Sequence, residues 1–108
     1  SNHGGRQLEA ALSPVEALPD IRNAVGKDMI LLADGGARTG LDIATLLAVG
    51  ADFVLLGRAF MFAVAAMGEP GADHVIDVLK QELRQSVSQI GSANLHSLTN
   101  FLVDANRP

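Results

Sequence analysis

The clearest pattern in the chain is a pair of short apolar runs, each followed by a loop and then by a helical stretch. Met29 to Ala33 (MILLA) is the first run, and Phe53 to Leu56 (FVLL) is the second. Near-continuous apolar runs of this length are typical of strands that are buried on both faces of a parallel sheet. We therefore predict two buried parallel strands.

A first helix is predicted after Ser13-Pro14, because Ser is favoured as an N-cap and Pro at the first helical position. Gly26 is placed to end it. Pro19 interrupts the stretch, so we expect a short turn before Pro19 and the main helix after it. The apolar stripe that this helix would bury consists of Leu18, Ile21 and Val25.

Three further helical stretches follow from the spacing of apolar residues, over residues 41–49, 60–67 and 72–90. The last is amphipathic and ends at Gly91, and residues 68–71 are expected to form a turn. The tail from residue 92 is expected to be mostly coil, with room for one helical turn. The alternation of strand and helix predicts parallel βαβ units. Two strands leave both sheet edges open, and a complete (β/α)₈ barrel takes about 250 residues, so part of a barrel is predicted.

The loops after the two strands have the composition of an anion site. Asp34 to Gly40 (DGGARTG) leads from the first strand to a helix start, and Gly57-Arg58 follows the second strand. Glycine lets a backbone approach a ligand closely, helix N-termini favour anions, and the Arg38 guanidinium suits phosphate. The alternative is that these glycines serve only turns and that the arginines are solvated. Loops after the last two strands of barrels often bind phosphate, which favours the anion site.

Composition narrows the function classes. The chain has 108 residues, a formal net charge of −4 and a pI near 5.1, which argues against a general nucleic-acid binder. It has no cysteine, so disulfides and thiolate metal sites are excluded. No apolar run approaches the roughly 20 residues of a membrane helix. A cytoplasmic location, or a peripheral one at the inner membrane, is expected.

The first residues, SNHGGRQL, contain a second candidate site. His3 is a candidate proton acceptor because the unperturbed pKa of histidine lies near neutrality. Arg6 offers a planar fork for a carboxylate. The alternative is an exposed His beside an exposed Arg in a loop, and composition does not decide between the two. His74 and His96 are expected to be structural or solvated.

Three segments, SNHGGRQL, LLADGGARTGLDIATLLAVGAD and VLLGRAF, together resemble the C-terminal part of the FMN-dependent α-hydroxy acid dehydrogenases and oxidases. This family includes lactate dehydrogenase, mandelate dehydrogenase and glycolate oxidase. The resemblance extends from Ser1 to about Ile90, and ALSPVEALPDI and AVAAMGEPG are most similar to the bacterial lactate and mandelate dehydrogenases. It implies an α/β fold, the C-terminal portion of a (β/α)₈ TIM barrel that comprises the end of strand six and strands seven and eight with their helices.

The resemblance also implies roles for particular residues. His3 matches the catalytic base of the family, and Arg6 matches the arginine that binds the substrate carboxylate. The FMN-binding residues that it implies are Asp34, Gly35, Gly36 and Arg38 after strand seven, and Gly57 and Arg58 after strand eight. The implied reaction is the oxidation of an L-2-hydroxy acid to the 2-keto acid, with FMN as cofactor and no metal.

Other site residues of this family come from earlier parts of the barrel and have no counterpart among these 108 residues. We therefore expect the chain to need the remainder of the barrel as a partner and to be inactive alone, and the complete enzyme to be a homo-oligomer. Two alternatives stay open. One is a segment of another phosphate-binding barrel, such as a type 2 isopentenyl diphosphate isomerase or an IMP dehydrogenase. The other is a non-catalytic barrel fragment.

Overall fold

Helices and two short strands alternate in the computed structural model, which describes residues 7–103. The elements are α1 (Pro14–Val25), β1 (Leu32–Ala33), α2 (Gly40–Ala48), β2 (Phe53–Val54), α3 (Arg58–Met67), α4 (Pro70–Gln89) and a 3₁₀ helix (Leu95–Phe101). None of the helices in the described part is long and apolar enough to cross a membrane. The α/β alternation agrees with the predicted βαβ pattern.

The two strands pair in parallel, with Leu32 opposite Phe53 and Ala33 opposite Val54. Both lie within the predicted apolar runs, but each is only two residues long. Helix α2 is the crossover between them, as a parallel connection requires. The predicted strands are therefore present and shorter than their apolar runs.

Only one face of the strand pair is covered in the described residues. Ala33 is 4% exposed and packs beside Leu18 of α1 and Leu46 of α2, whereas Leu32 and Phe53 are each 61% exposed. The prediction that both faces are buried is wrong for this part of the chain. The reason is that α1 and α2 lie on the same side of the strands and leave the opposite apolar face uncovered.

Helix α1 is continuous from Pro14 and contains Pro19, so the predicted turn before Pro19 is wrong. A capping box stabilises its start, since the Ser13 backbone N–H donates to Glu16 at 2.9 Å and the Glu16 N–H donates to the Ser13 hydroxyl at 3.4 Å. Pro19 removes a single hydrogen bond, to the carbonyl of the exposed residue Val15, which solvent can satisfy. Burial of the Leu18 side chain then holds the helix on the strands.

The guanidinium of Arg22 joins the ends of two helices to the start of the strand pair. It donates to the Gly50 carbonyl at 2.9 and 2.8 Å, to the Gly26 carbonyl at 2.8 Å and to the Met29 carbonyl at 2.9 Å. It also donates to the Asp52 carboxylate at 2.5 Å. Segments after α1 and α2 are thereby tied to the residues that enter β1 and β2.

Asp52, which directly precedes β2, completes this Arg22 cluster. Its carboxylate accepts the Leu31 backbone N–H at 2.7 Å, so one side chain spans the entry to both strands. The Leu31 N–H, together with the Arg22 guanidinium, holds the pKa of the Asp52 carboxyl below its usual value. The register of the two strands is therefore fixed by charged side chains as well as by backbone hydrogen bonds.

The tail contributes a core residue that the sequence analysis does not predict. Leu98 of the 3₁₀ helix is 1% exposed and packs against Ala44 and Ala48 of α2 and against Leu83 and Val87 of α4. Asn94 begins this helix by accepting the Ser97 N–H at 3.1 Å. The 3₁₀ helix over Leu95–Phe101 is longer than the single helical turn allowed for in the tail, because one Leu packed between two helices holds it.

Helix α4 begins earlier than predicted. It starts at Pro70, so Gly71 lies inside the helix and is buried, not in the predicted turn. A Cβ at this position would collide with the Ala63 carbonyl of α3. The close approach of the two helix backbones therefore requires glycine here.

Arg22→Lys in the complete enzyme is expected to lower the free energy of unfolding by about 2–3 kcal/mol, because one ammonium cannot replace the fork and leaves carbonyls unpaired. Urea denaturation measures the change. Arg84→Lys, on the exposed surface of α4, is the matched control and should shift stability by less than about 0.5 kcal/mol. Equal, small effects of both substitutions would show that the Arg22 cluster contributes little.

Leu98→Ala in the complete enzyme is expected to cost about 2–5 kcal/mol, since the cavity would lie between α2 and α4 with no solvent access. The control is Leu102→Ala, because Leu102 is 53% exposed and its truncation should be nearly neutral. Thermal denaturation compares the two variants with the parent. A Leu98 variant as stable as the Leu102 variant would contradict the assignment of the 3₁₀ helix to the core.

Candidate phosphate-binding site

The two candidate loops lie at the same edge of the strand pair. Because β1 and β2 are parallel neighbours, their carboxyl ends lie together, and the loop after each begins there. The Leu55 N–H donates to the Ala33 carbonyl at 2.8 Å, the last backbone link before both loops. The structure thus brings the six predicted FMN-binding residues to one edge: Asp34, Gly35, Gly36, Arg38, Gly57 and Arg58.

The loop after β1 presents an open backbone surface. Gly35 and Gly36 have φ angles of 119° and 104°, a region that side-chain-bearing residues avoid. A Cβ on Gly36 would meet no atom within 4 Å, so the space above it is free. Ala37 is buried in the core below, while Arg38 is exposed. Burial of Ala37 therefore anchors the loop in the core, while the Arg38 guanidinium lies on the solvent-exposed side.

The first turn of α2 is already satisfied by side chains of the chain itself. The Asp42 carboxylate accepts the N–H groups of Arg38 at 2.9 Å and of Thr39 at 3.0 Å, and the Thr39 hydroxyl accepts the Asp42 N–H at 3.1 Å. The Arg38 N–H is the main cause that holds the pKa of the Asp42 carboxyl below its usual value, against the opposing effect of burial. This is the capping box that the T-x-x-D spacing encodes.

A second carboxylate reaches the same turn from a distant part of the chain. Glu82 of α4 accepts the Gly40 N–H at 2.7 Å in a half-buried position. The N–H groups of residues 38, 39 and 40 thus all donate to carboxylates of the chain itself, and anion binding at this helix start stays a prediction. A phosphate placed there would also face two negative charges.

The start of α3 differs from that of α2. Its N-cap is Gly57, which provides no side-chain hydrogen bond, and its first turn contains no acidic residue. The first N–H groups of a helix have no partner within the helix and carry the positive end of its dipole. A Cβ on Gly57 would meet nothing within 4 Å, so a ligand can approach this helix start closely. An anion at this strand edge is therefore better accommodated by α3 than by α2.

Two predicted residues, His3 and Arg6, lie outside the described residues. His74 and His96 are both exposed, and within residues 7–103 no group of three acidic, His or Cys side chains could hold a metal ion. Sequence reasoning missed Asp42 and Glu82. The capping-box spacing was a usable signal for Asp42, whereas no local pattern connects Glu82 with Gly40, which lies 42 residues earlier.

A family model described as FMN-dependent dehydrogenase matches residues 1–105. The chain belongs to this family. The resemblance inferred from its motifs is thereby confirmed, and the assignment to another phosphate-binding barrel family is not retained.

Relatives in the family are similar over nearly the whole chain. The L-lactate dehydrogenase of Caulobacter sp. (strain K31) is 50% identical over 103 residues, which is 95% of this chain and 27% of that protein. The L-lactate dehydrogenase of Bartonella tribocorum is 48% identical over 99 residues, 92% of this chain and 26% of that protein. The chain thus spans about a quarter of the length of these relatives.

Solved structures of mandelate-oxidising enzymes are also similar to nearly the whole chain. A mandelate oxidase bound to 3,3-difluoro-2-hydroxy-3-phenylpropionic acid superposes with a TM-score of 0.85 and 38% identity, over 93% of this chain and 30% of that one. An oxidised active mutant of (S)-mandelate dehydrogenase gives a TM-score of 0.81 and 47% identity, over 91% of this chain and 27% of that one. Both solved structures superpose on more than nine-tenths of this chain, in agreement with the predicted α/β class.

Proposed function

We propose that this chain is the C-terminal part of an FMN-dependent (β/α)₈ barrel that oxidises an L-2-hydroxy acid, such as lactate, to the 2-keto acid. The observation that carries the proposal is the pairing of an arginine-bearing glycine loop with the uncapped start of α3 at one strand edge, in a member of the FMN-dependent dehydrogenase family. The L-lactate and mandelate enzymes to which the chain is similar support this substrate class.

The residues present fit the phosphate end of FMN. Arg38 and Arg58 supply guanidinium donors suited to phosphate oxygens, and the open space at Gly36 and Gly57 allows close approach to the backbone. The first turn of α3 adds uncapped N–H groups and the positive end of a helix dipole. We assign the phosphate to α3 and the two arginines, with Asp34 and Gly35 completing the loop.

When bound, FMN would take up the two electrons and one of the two hydrogens that leave the hydroxy acid, and the other hydrogen would leave as the proton that His3 accepts. This chain supplies the acid–base and binding groups: a ring nitrogen of His3 accepts a proton from the substrate, and the Arg6 guanidinium holds its carboxylate through paired N–H donors. These two roles follow from the family resemblance of SNHGGRQL. Gly4 and Gly5, between the two residues, would let the backbone bend so that both side chains face one pocket.

The uncovered apolar surfaces support the barrel assignment. Leu32, Phe53 and Leu55 are exposed on one face of the strands, and a shallow groove on α3 is lined by Phe60, Met61, Val64 and Ala65. Contiguous apolar surface of this kind marks an interaction site. We propose that the remaining strands and helices of the barrel cover these surfaces and that the complete enzyme is a homo-oligomer.

Arg38→Ala and Arg58→Ala in the complete enzyme are each expected to weaken FMN binding by about 1.5–3 kcal/mol, the worth of a hydrogen bond to a charged group, and to leave riboflavin affinity almost unchanged. Flavin titration of the cofactor-free protein by fluorescence measures both affinities. Arg84→Ala on exposed α4 serves as the control. Equal losses for FMN and riboflavin would show that the arginines act on folding and not on phosphate.

His3→Gln in the complete enzyme is expected to slow flavin reduction at saturating hydroxy acid by at least about a hundredfold, because a general base is worth 10²–10⁴-fold. Flavin content and substrate binding should persist. Rapid mixing with lactate, mandelate and glycolate, followed by flavin absorbance, gives the rate. His74→Gln, the same substitution at an exposed position on α4, is the control. A His3 variant that bleaches at the parent rate with these acids would remove His3 from catalysis, and a parent flavin that none of them reduces would contradict the proposed function.

A further inference from the structure

Helix α4 is packed unusually closely against the helix that follows the first glycine loop. A Cβ on Gly40, the first residue of α2, would collide with the backbone nitrogen of Leu83 and with the Glu82 backbone. The same helix approaches α3 through Gly71. Helix α4 therefore contacts both helices that begin at the candidate phosphate site.

The polar contact between α4 and α2 is a hydrogen bond from the Gly40 backbone N–H to the Glu82 carboxylate. The Glu82 carboxylate oxygen Oε2 lies 2.7 Å from the Gly40 nitrogen, and the pair is half-buried. Burying part of a carboxylate between two helices is unfavourable unless its charge is hydrogen-bonded. An apolar side chain at this position would leave the N–H of the buried residue Gly40 without this acceptor, so the carboxylate meets a requirement at the Gly40 N–H.

We relate this requirement at the Gly40 N–H to the position of Arg38 in the loop. Arg38 lies two residues before Gly40, and its own N–H and that of Thr39 are held by Asp42. With Glu82 on Gly40, three consecutive N–H groups donate to two carboxylates. Asp42 belongs to the same turn and can only stiffen it, whereas Glu82 ties the turn to α4, which also packs on α3.

We propose that Glu82 is a positioning residue of the flavin-phosphate site. It fixes the backbone that carries Arg38 relative to the start of α3, and it occupies the Gly40 N–H so that α2 offers no competing place for the phosphate. The inference rests on the proposed FMN function and deepens it, since it names a residue that lies on α4, outside both candidate phosphate loops.

The test compares two substitutions of Glu82 in the complete enzyme. Glu82→Met removes the acceptor at similar length, and Glu82→Gln keeps an oxygen acceptor without the charge. Flavin titration is expected to show FMN affinity reduced about tenfold or more in the Met variant, with riboflavin affinity within about twofold and the Gln variant within about threefold of the parent. Gln81→Met, at the exposed neighbouring position on α4, controls for adding a methionine and should leave both affinities unchanged.

A purely structural role predicts a different result, because loosening α4 against α2 would weaken FMN and riboflavin alike. That result, or unchanged FMN affinity in the Met variant, would overturn the proposal. A parent enzyme that does not prefer FMN to riboflavin would instead contradict the proposed function itself. The two failures are therefore distinguishable.

A measurement on the unmutated enzyme covers the case in which Glu82→Met does not fold. Amide hydrogen exchange at residues 38–40 should be slow in the flavin-free complete enzyme, because the three N–H groups already donate to Asp42 and Glu82. Slow exchange supports the prepositioned loop. Exchange that is fast without flavin and slows only when FMN binds would show that the ligand, and not Glu82, orders this turn.

Discussion

The position of the candidate site depends on the Arg22 guanidinium at the opposite end of the strand pair. Arg22 and Asp52 join the exits of α1 and α2 to the entries of β1 and β2, so the two strands start in parallel and in a fixed register. Two residues later in each strand, both loops leave at the same edge. A planar fork with several donors suits this task, because carbonyls from three segments converge on it.

The starts of α2 and α3 differ in whether side chains of the chain cap their N–H groups. Both α2 and α3 begin at the strand edge, and both carry the positive end of a helix dipole. At α2 the charge is neutralised by Asp42 and Glu82, whereas α3 begins at Gly57 without a side-chain cap. In the proposed function, the start of α3 binds the external anion and the start of α2 supports Arg38.

The local features of this arrangement could be predicted from the sequence. Apolar runs located both strands, and Ser13-Pro14 and Gly26 marked the limits of α1. The anion site expected at the loops around Arg38 and Arg58 stays a prediction. What could not be predicted depends on tertiary contacts. Helix α1 tolerates Pro19 because the freed carbonyl is on an exposed residue. Leu98 orders the tail because α2 and α4 form its pocket. Glu82 reaches Gly40 only because α4 packs closely on α2 at Gly40 and on α3 at Gly71, where a Cβ would collide. The predicted burial of both strand faces was wrong because α1 and α2 cover the same side.

The central claim is that the phosphate of FMN binds at the start of α3 and not at the start of α2. A crystal structure of the complete enzyme with FMN tests this claim directly. The account predicts phosphate oxygens within about 3.2 Å of N–H groups in the first turn of α3 and of the Arg38 guanidinium, with the Gly40 N–H still donating to Glu82. A phosphate bound by the N–H groups of residues 39 and 40, with the Glu82 carboxylate displaced, would contradict it.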